Sequence, residues 1–239
     1  MGRIYRFRTA LSRHHRSAGF GIHSPFAFNF VCNVLGERLP YYSYERIDAL
    51  RQHVIDATRH HLRHPRVISR KNAKMLFRIV NYFNPRHIVQ FGTRYGISAT
   101  CMLLPASSSR LYLYEPQLGE HPVVIDVLKP YSDRIEHSGS ASAVIAHYQA
   151  ARGKEERHFA LVNDIPDESD YETIEHFLYS VIESEGVIIM RNLSKDKRLW
   201  QLWQDCERHA QRGQSFTNEK IGIIVATAKL PLENFYLWF

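Results

Sequence analysis

Short apolar segments alternate with longer amphipathic segments along most of the chain. Five short segments predict strands: 87–91, 110–114, 134–137, 159–162 and 186–190. Apolar residues at helical spacing predict helices between and after them, over 99–104, 123–128, 141–151, 171–182 and 199–211. Strands that alternate with helices predict a parallel sheet with helices on both faces.

Two further apolar segments, 221–226 and 234–239, close the sequence with no helical pattern between them. We predict that they form a terminal antiparallel hairpin joined by residues 227–233. The predicted fold class is therefore α/β: a doubly wound, mostly parallel, seven-stranded sheet of Rossmann-like type, with a terminal antiparallel hairpin and an N-terminal helical extension.

The N-terminal part is predicted to be helical. Ser24 suits a helix N-cap with Pro25 at the first helical position. Helices are predicted over 44–63 and 69–83, and a basic amphipathic helix over 4–16. The last could lie on a membrane surface or pack onto the domain, and both alternatives stay open. We predict a basic extension over residues 1–68 and the sheet domain over 69–239.

The distribution of charge and the cysteine content indicate which partners and which cellular compartment to expect. Residues 1–90 carry a formal charge of +12 and the remainder −5. No recognised nucleic-acid motif accompanies this charge, so we expect a solvated basic face and no nucleic-acid partner. Three cysteines that are far apart favour a reducing compartment. No apolar run approaches the roughly 18 residues of a membrane span, and we expect a cytoplasmic protein.

Two glycines, Gly92 and Gly96, follow the segment 87–91 and precede Ser98. Glycine tolerates positive φ and lets a ligand approach the backbone closely. The amides at the following helix start would face that ligand. A tight strand-to-helix connection without a ligand uses the same residues, so the turn alone leaves both interpretations open.

The stretch Gln90-Phe91-Gly92-Thr93-Arg94-Tyr95-Gly96-Ile97-Ser98 resembles the first motif, E-L-G-x-x-x-G-x-S, of a known enzyme family. That family is the class I S-adenosylmethionine-dependent methyltransferases, of the catechol O-methyltransferase type. The segment 21–26, Gly-Ile-His-Ser-Pro-Phe, is similar to a stretch in uncharacterised Bacteroidetes methyltransferase-like proteins. The resemblance implies the methyltransferase fold, with S-adenosylmethionine as cofactor.

The resemblance also implies a set of cofactor-binding residues. Gly92, Thr93 and Gly96 would pass beneath the methionine part of the cofactor, with Ser98 near its carboxylate. Glu115 would bind the ribose hydroxyls, because a carboxylate can accept both protons. The other implied contacts are Gln90 beneath the turn, Gly139, Ser140 and Ala141 at the adenine, and Asp164 facing the methyl-bearing centre.

Two positions depart from the family pattern. Gln90 replaces an acidic residue and keeps a carbonyl but not the charge. In catechol-type relatives a fourth-strand Asp and a later Asp-Asn pair hold Mg²⁺, but here the later pair reads Arg191-Asn192. Because Mg²⁺ prefers carboxylate oxygens and a guanidinium repels it, we predict no metal. Arg191 would supply the positive charge and pair with Asp164.

A general base would help a hydroxyl or amine nucleophile to take the methyl group. The candidates are His23, Asp164 and Tyr171, and also Asp167 and His176. Each has a structural alternative, such as capping a helix or packing on its neighbours. The catalytic residue therefore stays open.

Two functions follow as alternatives. The first is a metal-independent methyltransferase that acts on a small-molecule acceptor. The second is a catalytically degenerate protein of the same fold that serves as a binding or regulatory module through its basic N-terminal region. The oligomeric state, including a homodimer, also stays open.

Overall fold

The computed structural model describes residues 13, 17–59, 67–120 and 122–239. The strands of these residues form one sheet: β1 His87–Phe91, β2 Arg110–Tyr114, β3 Ile135–Ser138, β4 Phe159–Val162, β5 Val187–Arg191, β6 Gln214–Thr217, β7 Ile221–Val225 and β8 Glu233–Tyr236. Their order is β3-β2-β1-β4-β5-β7-β6-β8. Among these eight, β7 alone runs antiparallel to its neighbours. The predicted fold class, a mostly parallel sheet of Rossmann-like type with an antiparallel hairpin, is confirmed.

The helices within the described ranges are α1 Pro25–Phe30, α2 Tyr44–Thr58, α3 Arg70–Phe83, α4 Ile97–Leu103, α5 Pro122–Leu128, α6 Ala141–Ala151, α7 Tyr171–Glu183 and α8 Lys197–His209. A π-helical turn, Val31–Leu35, continues α1. The predicted cap at Ser24 is confirmed, because its side chain accepts from Ala27 N at 3.2 Å. Of the helix predicted over 4–16, only Arg13 lies within the described residues. None of the described helices is long and apolar enough to cross a membrane.

Two hydrophobic cores lie on opposite faces of the sheet. Successive strand residues point to opposite faces, so Ile88 of β1 joins one core while Val89 and Phe91 join the other. Helices α1–α5 contribute to the first core and α6–α8 to the second. Residues of α1 and α3 share the first core with the sheet, so the N-terminal part packs directly on it. The predicted division at residue 68 stays a prediction.

The position of the terminal hairpin was predicted wrongly. The segments predicted at 221–226 and 234–239 correspond to β7 and β8, which do not pair with each other. The hairpin instead joins β6 to β7, and β8 pairs parallel to β6. The sheet therefore has eight strands among the described residues instead of the seven predicted.

The missed strand, β6, has the polar sequence Gln-Ser-Phe-Thr, and all four residues are buried. Its polar side chains find partners on neighbouring elements: Gln214 Nε2 donates to Glu233 Oε2 at 2.9 Å, and Thr217 Oγ1 donates to Ile221 O at 3.0 Å. Buried polar groups are tolerated when they are hydrogen-bonded. Because three of its four residues are polar, hydrophobic periodicity gives no signal for this strand.

Arg78 of α3 joins the N-terminal helices to one another. Its Nε donates to Val34 O at 2.6 Å and its Nη2 to Leu35 O at 2.9 Å, at the end of the π-helical turn. Its Nη1 donates to Tyr44 Oη at 3.0 Å. The guanidinium thus satisfies two buried carbonyls at a helix end, where intrahelical donors are lacking.

We expect Arg78→Met to lower the free energy of unfolding by about 2–4 kcal/mol, because it leaves both carbonyls without a donor. Urea denaturation followed by circular dichroism measures this change. Lys71→Met on the exposed face of the same helix is the matched control and should be nearly neutral. Equal losses in the two variants would contradict the role assigned to Arg78.

Candidate active site

A tight glycine turn lies at the carboxyl end of β1, where the strand order reverses direction, a common location for ligand sites in α/β sheets. Gly92, Arg94 and Gly96 adopt φ values of +72°, +55° and +75°. A Cβ atom at Gly92 would lie 1.6 Å from Asp164 Oδ1, and one at Gly96 would lie 2.9 Å from Val127 Cγ1. Both glycines are therefore required by backbone conformation and by close packing.

Glu115, at the end of β2, binds the outer side of this turn. Its Oε2 accepts from the backbone nitrogens of Thr93 at 2.8 Å and Arg94 at 3.2 Å. Consecutive amides that point to one place form a concave anion site, and here the Glu115 carboxylate occupies it. Among the described residues Oε1 of Glu115 has no hydrogen-bond partner. The predicted contact of Glu115 with a ribose would have to use that oxygen.

Two buried amides lie beneath the turn. Gln90 Nε2 donates to Gly92 O at 2.7 Å and to Ser98 Oγ at 3.0 Å. Asn163 Nδ2 donates to the same two atoms at the same distances. Gln90 therefore lies under the turn, as predicted, and holds it by donating hydrogen bonds.

The predicted pairing of Arg191 with Asp164 is wrong. Arg191 Nη1 donates to Asn163 Oδ1 at 2.6 Å, and Asn192 Nδ2 donates to Asn163 O at 2.9 Å. Asn163 continues the β4 pattern, since its nitrogen donates to Phe91 O at 2.9 Å. The side chain that meets the end of β5 thus belongs to Asn163, one residue before Asp164.

Burial shifts the pKa values of Asp164 and Arg191. Burial raises the pKa of Asp164 to about 6, with a further contribution from the Glu115 carboxylate. The positive charges of Arg94 and Arg191 act in the opposite direction. Burial lowers the pKa of Arg191 to about 10. Asp164 Oδ1 and Arg191 Nε are both buried without a hydrogen-bond partner.

A cleft of about 300 Å³ opens beside the turn. Its lining includes the end of β1, the ends of β4 and β5, and the start of α3: Thr93, Arg94, Ser98, Asn163, Asp164, Arg191, Asn192, Lys195, Ser69 and Asn72. A second cavity, of about 430 Å³, shares Arg94, Tyr95, Asp164 and Asp196 with the first and adds Glu115. The two cavities flank the glycine turn.

The structure brings most of the predicted cofactor residues together. Thr93, Ser98, Glu115 and Asp164 line one or both cavities, while the residues that frame the turn are Gln90, Gly92 and Gly96. The predicted adenine contacts, Gly139, Ser140 and Ala141, line neither cavity. A Cβ atom at Gly139 would lie 3.5 Å from Pro116 Cα, and Ser140 Oγ accepts from Ala143 N at 3.4 Å. Their contact with a ligand stays a prediction.

Of the general-base candidates, Asp164 lines the cleft, whereas His23, Tyr171, Asp167 and His176 line neither cavity. Tyr171 packs against the second core. Asp167 Oδ1 accepts from Ser169 N at 2.9 Å. His176 Nδ1 donates to Glu172 O at 2.8 Å. These contacts correspond to the structural alternatives for Asp167 and His176.

The cleft residues that were not predicted as site residues include Arg94, Asn163 and Asn72. Asn163 had a usable signal, because it directly follows an apolar strand. Arg94 lies inside the glycine motif at a position the motif leaves free. Asn72 belongs to a helix that precedes the sheet, and only the folded structure places it at the cleft.

The donor set at the ends of β4 and β5 does not suit a hard divalent cation. The side chains of Arg191 and Asn192 bind Asn163 there, and the carboxylate beside this group is that of Asp164. Mg²⁺ prefers carboxylate oxygens, and the guanidinium of Arg191 repels it. Within the described ranges no group of three or more His, Cys, Asp or Glu side chains is arranged to hold a metal.

No protein-family model matches the sequence, and no curated protein matches it either. Solved structures do match. An O-methyltransferase from Bacillus cereus, in complex with S-adenosylhomocysteine, is 17% identical with a TM-score of 0.55, and the match covers 81% of this chain and 96% of that one.

Two further solved structures are similar to this chain. An O-methyltransferase involved in tomaymycin synthesis in Streptomyces achromogenes, in complex with S-adenosylmethionine, is 13% identical with a TM-score of 0.53, covering 95% of this chain and 100% of that one. A methyltransferase from Geobacter sulfurreducens is 14% identical with a TM-score of 0.52, covering 82% and 95%. At these identities the likeness establishes the fold, which is that of the methyltransferases.

The raised pKa of Asp164 makes stability depend on pH. A folded-state pKa of about 6 exceeds the unfolded value of about 4, so the native state favours the protonated acid. Its contribution is full below pH 4 and is lost as the pH rises through 6. We expect Asp164→Asn to match the wild type at pH 3.5 and to exceed it at pH 7.5, by on the order of 2–3 kcal/mol.

Urea unfolding at the two pH values measures this difference. The control is Asp167→Asn, because hydrogen bonds from Ser169 hold the pKa of Asp167 below its usual value, which gives the opposite sign. A stability difference between the wild type and Asp164→Asn that is the same at both pH values would show that folding does not raise the pKa of Asp164.

Proposed function

We propose that the protein is an S-adenosylmethionine-dependent methyltransferase that transfers a methyl group to a small-molecule acceptor without a catalytic metal. The observation that carries the proposal is the glycine turn. Gly92 and Gly96 hold the backbone at positive φ, and Glu115 binds the amides of Thr93 and Arg94. This turn lies at the strand-order reversal of a fold that bound cofactor in the Bacillus and Streptomyces neighbours.

The residues present fit the cofactor. A Cβ atom at Gly92 would lie 1.6 Å from Asp164 Oδ1, so the turn can pass this close to Asp164 at the edge of the cleft only because the residue is glycine. Glu115 Oε1 is available to ribose hydroxyls, and Ser98 lines the cleft where the methionine part would lie. When bound, the cofactor supplies an electrophilic methyl group on a sulfonium.

Asp164 is the residue of this chain best suited to accept a proton from the acceptor. Its pKa of about 6 leaves it ionised at pH 7.5, yet keeps it more basic than an exposed aspartate. Its Oδ1 is buried without a partner in the protein. Because Oδ1 packs against Gly92, a hydroxyl or amine in the cleft would donate its proton to Oδ2.

The positive charge beside Asp164 comes from Arg191 and is compatible with a metal-free reaction. The guanidinium is held by Asn163, and its Nε has no protein partner. It can therefore stabilise negative charge on an acceptor oxygen as the proton leaves. Cavities of about 300 and 430 Å³ fall in the range of small-molecule sites. We retain the cytoplasm of a bacterium as the expected setting.

Calorimetric titration with S-adenosylhomocysteine in EDTA tests the proposal. We expect a Kd in the micromolar range, about −8 kcal/mol, for the wild type. Gly92→Ala should weaken binding at least about tenfold, since a side chain at positive φ is strained by roughly 1–2 kcal/mol and displaces the Asp164 carboxylate.

Gly119→Ala is the matched control, because a Cβ atom there has nothing within 4 Å. It should bind like the wild type. Absence of binding by a folded wild-type protein would reject the enzyme and favour the alternative of a binding module with this fold. Unchanged affinity in Gly92→Ala would reject the turn as the cofactor site.

A further inference from the structure

The α3 helix separates the cleft from a larger cavity of about 800 Å³. Ser69 and Asn72 line the cleft, and the helical period places them on the face opposite Lys71 and Lys74, which line the larger cavity. This cavity, here called the basic cavity, has five basic lining residues: Arg38, Arg70, Lys71, Lys74 and Arg78. It shares no lining residue with the cleft and is therefore a separate place on the molecule.

The protein neutralises part of this positive charge itself. Arg70 Nε lies 2.9 Å from Asp48 Oδ1 and Lys74 Nζ lies 2.8 Å from Asp48 Oδ2, so two cations share one carboxylate. Arg78 binds the carbonyls at the end of the π-helical turn. Glu37 also lines the cavity, but its Oε1 accepts from the next two backbone nitrogens at 2.6 and 2.7 Å. Positive charge therefore exceeds negative charge in this lining.

Arg38 and Lys71 have no acidic partner. Both are exposed, and within the described ranges neither side chain forms an ion pair. The stretches outside those ranges supply none, because they contain no Asp or Glu: the first acidic residue of this sequence is Glu37, and residues 60–66 and 121 are not acidic. The uncompensated charge therefore favours a ligand that brings negative charge of its own.

The basic cavity also has an exposed aromatic side chain in its lining. Trp238 is 59% exposed, although the backbone around it is held in place. Its nitrogen donates to Ser17 Oγ at 2.6 Å, and the following carbonyl, that of Phe239, accepts from Asn218 Nδ2 at 2.8 Å. Phe239 lines the same cavity. A large apolar side chain fixed beside cations offers surface that the apolar part of a ligand can cover.

We propose that the basic cavity binds an anionic amphiphile, a molecule in which a phosphate or carboxylate is joined to an apolar body. Arg38 and Lys71 would bind the acidic group, and Trp238 and Phe239 would contact the apolar body. The volume of the cavity is typical of a small-molecule site, whereas a nucleic-acid strand needs an extended basic groove. The inference is independent of the proposed function, because it concerns a different cavity.

Calorimetry with three probes tests the proposal. The probes are monomeric decyl phosphate, decyl maltoside, which has the same chain without a charge, and inorganic phosphate. We expect decyl phosphate to bind at least about tenfold more tightly than either of the others, because it alone uses both the cations and the apolar surface. Binding should also shift tryptophan fluorescence to shorter wavelength, and Trp238→Phe should abolish this shift.

Reversing the two exposed charges separates specific binding from general adsorption. The double variant Arg38→Glu/Lys71→Glu should bind decyl phosphate at least about tenfold more weakly, with affinity for decyl maltoside unchanged. Lys129→Glu is the matched control, because Lys129 is exposed and does not line the basic cavity. It should bind like the wild type. If the double variant does not fold, Lys71→Met, which removes one of the charges, should also weaken decyl phosphate binding.

Vesicles distinguish the two sources of such a ligand. If vesicles of equal parts phosphatidylglycerol and phosphatidylcholine bind the wild type but not the double variant, the site is supported and its ligand is a membrane lipid. If decyl phosphate binds and the vesicles do not, the site is supported and its ligand is a free molecule.

Three results would overturn the proposal. The first is decyl phosphate that does not bind the wild type, or that binds the wild type and the double variant equally. The second is inorganic phosphate that binds as tightly as decyl phosphate, which would indicate a site for a simple anion. The third is a single-stranded oligonucleotide that displaces decyl phosphate at a lower concentration, which would indicate a nucleic-acid site. Each leaves the titration with S-adenosylhomocysteine unaffected.

Discussion

The carbonyl group of Gly92 is the acceptor on which the arrangement of the site depends. It ends β1 and accepts from Gln90 of the same strand and from Asn163 at the end of β4. The same two amides bind Ser98 of α4, and Arg191 joins the group from β5 through Asn163. Three neighbouring strands and a helix are therefore joined through the two amides that donate to this buried oxygen. Without those donors, burying it would cost about 1–3 kcal/mol.

The same hydrogen bonds explain how the turn keeps its backbone conformation. Arg94 adopts a φ of +55°, which costs a residue with a side chain free energy. Glu115 holds the turn from outside through the amides of Thr93 and Arg94, and the two buried amides hold it from below. The backbone conformation at Gly92 is thus stabilised by hydrogen bonds within the protein.

The strands that are buried on both faces of the sheet could be predicted from the sequence. The strands predicted at 87–91, 110–114 and 159–162 are observed at those residues, because strands covered on both faces are continuously apolar. The strand β6 could not be predicted, since its buried polar side chains are satisfied by distant partners such as Glu233. Its absence from the prediction also displaced the hairpin, because β7 was left with β8 as its apparent neighbour.

In the candidate site, only the residues of the glycine motif and those that follow strands could be predicted from the sequence. The glycine turn and its flanking residues follow from spacing, and Glu115 and Asp164 follow from the ends of strands. The partner of Arg191 could not be predicted even though the end of β4 was, because Asn163 and Asp164 both follow the strand and only the folded structure shows which of them faces Arg191. That orientation is set by contacts between strands, which a single sequence does not display.

The cleft has two walls of different origin. The polar wall is formed by strand ends and the start of α4 and carries Ser98, Asp164 and Arg191. The opposite wall comes from the segment before β1, where Val67 and Ile68 contribute apolar surface and Ser69 caps α3 by accepting from Asn72 N at 3.2 Å. The α3 helix is held by Arg78, so the N-terminal helices fix the position of this second wall. On the proposed function, the sheet would determine cofactor binding, and the segment before β1 would determine which acceptor fits.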